Sequence, residues 1–167
     1  MLLLDLHEII GVPGGRVAFD YEPDLSEAAM GSVVRIEPPS RAAGNVVNSA
    51  GVLTFSAIAD ATCVCVCARC LKEFEYHVHQ HISANLTEGG ENGDDPDGYF
   101  LQGDSVDADE IIVTEFILAL DHRHLCRDDC AGMCAKCGAD LNNGPCACSS
   151  DIDPRLAVLG QLLNNDQ

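Results

Sequence analysis

Ten cysteines in a 167-residue chain constrain this sequence more than any other feature, and they are not spread evenly. Four lie at positions 63, 65, 67 and 70, while Cys126, Cys130, Cys134, Cys137, Cys146 and Cys148 crowd into one short stretch. That stretch holds almost no large apolar side chain, so it cannot bury a core of its own. Segments of this kind fold around disulfides or around a metal, and the compartment decides between them. No apolar run approaches the ~20 residues of a membrane span. The opening MLLLDL is too short for a signal-peptide core and lacks a basic head. The expectation is a cytoplasmic protein whose clustered thiols are metal ligands.

The sharpest motif is Cys134-Ala135-Lys136-Cys137-Gly138. A C-x2-C pair followed by glycine suits a zinc knuckle, because the tight turn aims backbone N–H groups at the thiolates and glycine supplies the unusual backbone angle. With Cys126, Cys130, Cys146 and Cys148 around it, the segment offers six thiols where a tetrahedral Zn2+ needs four. Either two are spare or two ions share bridging sulfurs. The competing reading is a segment of free thiols or a redox switch. Cys130, Cys134 and Cys137 also have the C-x3-C-x2-C spacing of radical S-adenosylmethionine enzymes. Too little chain follows them, and no strand–helix alternation accompanies them. Cys67-Ala68-Arg69-Cys70 is a second C-x2-C. It is either a pair of free cysteines at a strand end or a metal half-site shared with the C-terminal module. Cys63 and Cys65 read as packing residues.

His77, His79 and His81 alternate along a strand-like run, so neighbours sit ~6.6 Å apart and all three cannot reach one ion. They read as a solvated face; His122 and His124 are fallback ligands beside the cysteines. Enzyme signatures are missing: there is no G-x-S-x-G, no phosphate-cradling loop and no H-E-x-x-H. The expectation is a protein that binds rather than catalyses, with no small-molecule substrate.

Apolar alternation outlines strands over Ser32–Glu37, stopped by Pro38-Pro39, and over Asn45–Cys67, with a turn at Ser49-Ala50-Gly51. A further strand runs from Phe74 to Leu86. Residues 88–110 carry nine acids and no base and read as a solvated loop. Asp107 and Glu110 are placed as a capping box for a helix whose broad apolar side includes Ile111, Ile112, Phe116 and Leu118. Asp153-Pro154 starts a short final helix. The fold class is α+β: an antiparallel sheet, open or closed into a partial barrel, one packed helix, and a small Cys-rich zinc module at the C-terminus. The division is 1–120 for the α+β domain, with its acidic loop 88–110, and 121–167 for the module.

Nine Lys and Arg against 27 Asp and Glu leave a formal charge of −18. Nucleic-acid affinity comes mostly from cations on phosphates, so basic protein partners fit this charge better than naked RNA.

Taken together, LHEIIGVPGG, CARCLKEF, LCRDDCAGMCAKCGADLN, CAC and DPRLAVLGQLL resemble the YceD family of bacterial and plastid proteins, over about residues 5 to 163. That resemblance implies a non-enzymatic ribosome-biogenesis factor, connected with large-subunit rRNA and a basic ribosomal protein. It implies Cys67, Arg69 and Cys70 as the central motif, and these residues, with Arg69 one of few cations, read as a partner-binding site or a second metal half-site. Cys126, Cys130, Cys134 and Cys137 are implied as the C-terminal cluster. Cys146 and Cys148 stand where some relatives have histidines, which favours ligand roles for both. The alternatives are an acidic chaperone for a basic ribosomal protein and a thiol- or metal-responsive regulator.

Overall fold

The computed structural model describes residues 2–88 and 98–148. Its elements in chain order are β1 (Leu3–Asp5), β2 (Arg16–Tyr21), β3 (Val33–Ser49), β4 (Val52–Val66), β5 (Glu73–Glu88), β6 (Tyr99–Leu101), β7 (Ser105–Asp107) and α1 (Ala108–Ala119). Short 3-10 turns at Ser26–Ala28 and Leu141–Asn143 complete it.

The long hairpins dominate. A two-residue turn at Ala50-Gly51, both with positive φ, joins β3 to β4, as the twist of paired strands requires. The resulting sheet has the order β2-β3-β4-β5-β6 and is antiparallel except between β5 and β6. Among the described residues it stays open rather than closing into a barrel. On β4 the alternate residues Leu53, Phe55, Ala57, Ala59, Ala61, Cys63 and Cys65 are buried, and on β5 Ile82, Ala84 and Leu86. They face α1, whose Ala108, Ile111, Ile112 and Phe116 are buried over this surface together with Leu4 and Leu6. Cys63 and Cys65 belong to this core, and burial pushes the Cys63 thiol up to about 11, so it stays protonated.

Three expectations are corrected. Pro38-Pro39 does not end the strand: β3 runs through it, and an irregularity between Glu37 and Arg41 absorbs the prolines. They can stand there because the ladder to β4 is interrupted, and β2 covers only Ala42–Val47 on the other edge. The acidic stretch is not loop throughout. Leu101 and Val106 are buried and anchor β6 on β5 and β7 on β1, a weak apolar signal overwhelmed by the surrounding charge. Leu118 is 73% exposed, so the apolar side of α1 is narrower than its composition suggests. Asp107 does cap α1, accepting from the Asp109 N–H at 3.0 Å. The final helix expected after Asp153-Pro154 lies outside the described residues. No helix among them is long and apolar enough to cross a membrane.

Candidate metal centres

The end of β4 delivers Cys67 into a tight turn. The Leu71 N–H donates to the Cys67 carbonyl at 2.9 Å, the Cys67 N–H donates to the Lys72 carbonyl at 2.9 Å, and Leu71 has φ of 59°. The segment starting at Cys134 repeats this turn bond for bond. The Gly138 N–H donates to the Cys134 carbonyl at 2.8 Å, the Cys134 N–H to the Ala139 carbonyl at 2.8 Å, and Gly138 has φ of 72°. Two knuckles of one geometry therefore stand in the chain, and each collects two more cysteines.

The first knuckle gathers Cys126 and Cys130 from the loop after α1. Cys67 Sγ lies 3.8 Å from Cys130 Sγ, and Cys70 Sγ lies 3.7 Å from Cys126 Sγ. All four sulfurs fall within 4.8 Å of one another. Four sulfurs each ~2.3 Å from one ion lie ~3.8 Å apart in a regular tetrahedron, so the group has the dimensions of a mononuclear centre. The second group is Cys134, Cys137, Cys146 and Cys148, under the same 4.8 Å limit. All eight are free thiols. Each group can hold one metal ion.

This arrangement resolves the surplus of six thiols differently from either expectation. No cysteine of the C-terminal stretch is spare, and bridging sulfurs are not needed, because Cys67 and Cys70 complete the first set. Cys130 and Cys134 fall in different groups, so the C-x3-C-x2-C run does not converge on one iron–sulfur cluster. The first group also brings together residues on either side of position 120, the end of β4 and the loop after α1.

Electrostatics favour metal in both. Burial opposes ionisation of Cys67, but N–H groups of Cys126, Cys70 and Arg69 outweigh it and bring the thiol down to about 6. The N–H groups of Cys137 and Lys136 bring Cys134 to about 6 as well. Burial, with hydrogen bonding to Cys130, pushes Cys126 up to about 12, and hydrogen bonding to Cys137 pushes Cys148 up to about 11. Each knuckle thus supplies one ready thiolate, and a cation bound there would favour the ionised forms of Cys126 and Cys148.

Arg69 is not a ligand. Its guanidinium donates to the carbonyls of Cys130, at 2.9 Å, and Asp128, at 3.3 Å, and its own carbonyl accepts from the Met133 N–H at 3.1 Å. Gly132 must be glycine here: with φ of 75°, a Cβ would sit 3.0 Å from the Arg69 carbonyl oxygen. Three supporting residues escaped sequence reasoning. Asn142 donates its amide to Cys130 Sγ at 3.5 Å and accepts from the Ala131 N–H at 2.8 Å. Lys72 pairs with Asp140, whose carboxyl is held down at about 2 by that ammonium and by the Asn142 N–H. The only signal for Asn142 is its place in the C-G-x-x-L-N run, which carries no spacing rule for a residue acting on a distant sulfur.

The histidines stay outside both groups. His77 Nδ1 meets Thr62 Oγ1 at 3.0 Å and His79 Nδ1 meets Asp60 at 2.5 Å, on the exposed face of β5. His122 is exposed. His124 is buried, with Nδ1 2.7 Å from Ser32 Oγ and its ring against Tyr76.

Fold and site together define a small α+β protein whose described residues place one helix on a mostly antiparallel sheet and gather two four-cysteine groups, each able to hold a metal ion. Its chain belongs to the YceD family: the family described as Large ribosomal RNA subunit accumulation protein YceD matches residues 55–163. Uncharacterized protein Rv2926c of Mycobacterium tuberculosis and Uncharacterized protein Mb2951c of Mycobacterium bovis are each 31% identical over 169 residues, covering 96% of this chain and 74% of theirs. Uncharacterized protein ML1660 of Mycobacterium leprae is 30% identical over 115 residues, covering 64% of this chain and 51% of its own. No solved structure matches the chain.

Proposed function

We propose that this protein acts in the cytoplasm as a non-enzymatic ribosome-biogenesis factor. It binds a large-subunit precursor and supports rRNA accumulation, with Zn2+ in each cysteine group. Membership of a family named for large ribosomal RNA subunit accumulation carries the functional part. The zinc part rests on two all-thiolate sets, the first with the sulfur spacing of a tetrahedral ion; soft thiolates in that geometry select zinc or iron over hard cations. The conspicuous nucleophiles are grouped in fours, a closed arrangement that suits structural rather than catalytic metal.

A second reading, chaperoning of a basic ribosomal protein, is favoured by the cations. Arg35 is paired with Glu37 and Glu73, Arg41 with Asp20, Lys72 with Asp140 and Arg127 with Asp129, while Arg69 is held on carbonyls. Among the described residues little positive charge is left to neutralise phosphates. Contact with the precursor is therefore assigned to its basic protein rather than to bare rRNA.

Affinity recovery from a growing host, with RNA and protein identified together, tests this. Large-subunit precursors should co-purify, and a basic ribosomal protein should stay bound after nuclease treatment. Recovery of neither contradicts the proposal. Tight binding of protein-free rRNA shows a basic face that the ion pairs do not suggest.

A further inference from the structure

The two centres share the same knuckle and the same donor set, yet they differ in cover. Cys67, Cys70 and Cys130 are 0%, 3% and 2% exposed and pack with Phe74 and Leu125. In the second group Cys137 and Cys148 are exposed, Cys134 and Cys146 are half-covered, and no residue from Cys134 to Cys148 is buried. We propose that the more exposed group Cys134/Cys137/Cys146/Cys148 is a reversible peroxide-sensitive thiol switch, while the group Cys67/Cys70/Cys126/Cys130, in which only Cys126 is not buried, is a permanent staple. The inference rests on the zinc reading of both centres.

Oxidation of a metal-bound thiolate needs direct approach of the oxidant to sulfur, so access ranks otherwise similar sites. Hydrogen peroxide is small, and two of the four cysteines of the second group, Cys137 and Cys148, are exposed residues. One thiolate attacks the peroxide, its sulfur becoming a sulfenic acid as the O–O bond breaks and hydroxide leaves. A neighbouring thiolate, within 4.8 Å, attacks that sulfur, forming the S–S bond and expelling the second hydroxide. The balance is two thiolates, one peroxide and two protons giving one disulfide and two waters, with the two electrons drawn from the two sulfurs. Disulfide formation would leave only two of the four thiolates to hold an ion, too few to retain it.

The charge changes with it. A zinc tetrathiolate carries a net −2, whereas a disulfide with two protonated thiols carries none. The turn that places Asn142 on Cys130 and Asp140 on Lys72 lies between Cys137 and Cys146, so release of the second ion loosens the outer support of the first centre without opening it. A thiol reductant with added zinc reverses the sequence.

The experiment treats the zinc-loaded full chain with hydrogen peroxide, follows released metal with a chromophoric chelator and maps disulfides by peptide mass spectrometry. One of two ions should leave, with disulfides confined to Cys134, Cys137, Cys146 and Cys148, and dithiothreitol with zinc should restore the starting state. Loss of both ions in one phase, loss of neither, or a first disulfide including Cys67, Cys70, Cys126 or Cys130 overturns the inference. The double variant Cys134→Ser/Cys137→Ser keeps only the first group; its single ion should survive the same treatment, and release of that ion also contradicts the inference. Protein that carries no zinc before peroxide is added contradicts the zinc reading itself, which separates the two failures.

Discussion

Leu71 and Gly138 occupy the same place in two copies of one turn, and only one of them suits it. A left-handed φ costs a residue with a Cβ ~1–2 kcal/mol, and Leu71 bears this at 59° with its side chain 60% exposed. Gly138→Ala should therefore weaken the second centre by about 1 kcal/mol, although nothing stands within 4 Å of the added Cβ. Leu71→Gly should be neutral or stabilising by up to ~0.5 kcal/mol, because relief of strain offsets the added chain entropy. Competition with a chelator, read together with thermal unfolding, checks both signs. Arg69 makes a different prediction. Its bonds to the carbonyls of Cys130 and Asp128 tie the first knuckle to the loop that supplies the other two ligands. Arg69→Ala should lower stability by ~1 kcal/mol and speed metal loss from the first centre. Unchanged stability with impaired partner recovery returns Arg69 to the partner-binding role read from the sequence.

At the scale of elements, β3 and β4 hold the framework that points Cys67 at its partners. Gly44 on β3 pairs with Ala57 on β4: an added Cβ would lie 2.2 Å from the Ser56 carbonyl oxygen and 2.7 Å from Ala57 Cα. Backbone cannot yield as a side-chain tip can. Gly44→Ala should cost about 2 kcal/mol or more, as overpacking of a close-packed interior does, visible as a lower Tm with both metals retained in the cold. The alternation from Leu53 to Cys65 and from Phe74 to Leu86 was legible because a strand with one buried face writes a period of two into the sequence. The three-residue strands β6 and β7 were not, because three residues carry no period. β3 was legible in halves; its passage through Pro38-Pro39 depends on which ladder bonds the neighbouring strands leave unmade, and that is a property of the sheet.

For the whole molecule, the membership of the two centres was the part hidden from the sequence. The C-x2-C spacings marked the knuckles, and the poverty of apolar residues after position 121 marked a metal-dependent segment. Which cysteines pair with which depends on where the loop after α1 meets the end of β4, across more than fifty residues of chain. Local spacing therefore left six C-terminal cysteines as one cluster and Cys67 and Cys70 as either free or a half-site shared with it, where the fold gathers one group that spans the chain and one that is local. Net charge acts at the same scale. With −18 overall and most described cations already engaged, association with a basic ribosomal protein should slow as salt rises, because exposed charges are screened beyond a Debye length of ~8 Å at physiological ionic strength. Stopped-flow association over a salt series reads this directly; a rate indifferent to salt removes charge from the account of partner choice.

Metal stoichiometry tests the central claim most directly. Reduced full-length protein, freshly purified and analysed for metals, should carry two zinc ions per chain. Cys67→Ser should lose the ion that joins the sheet to the C-terminal stretch, and Cys134→Ser should lose the other, each variant retaining one. Protein with no metal, with iron and visible absorbance, or with one ion that either substitution abolishes would contradict two independent zinc centres.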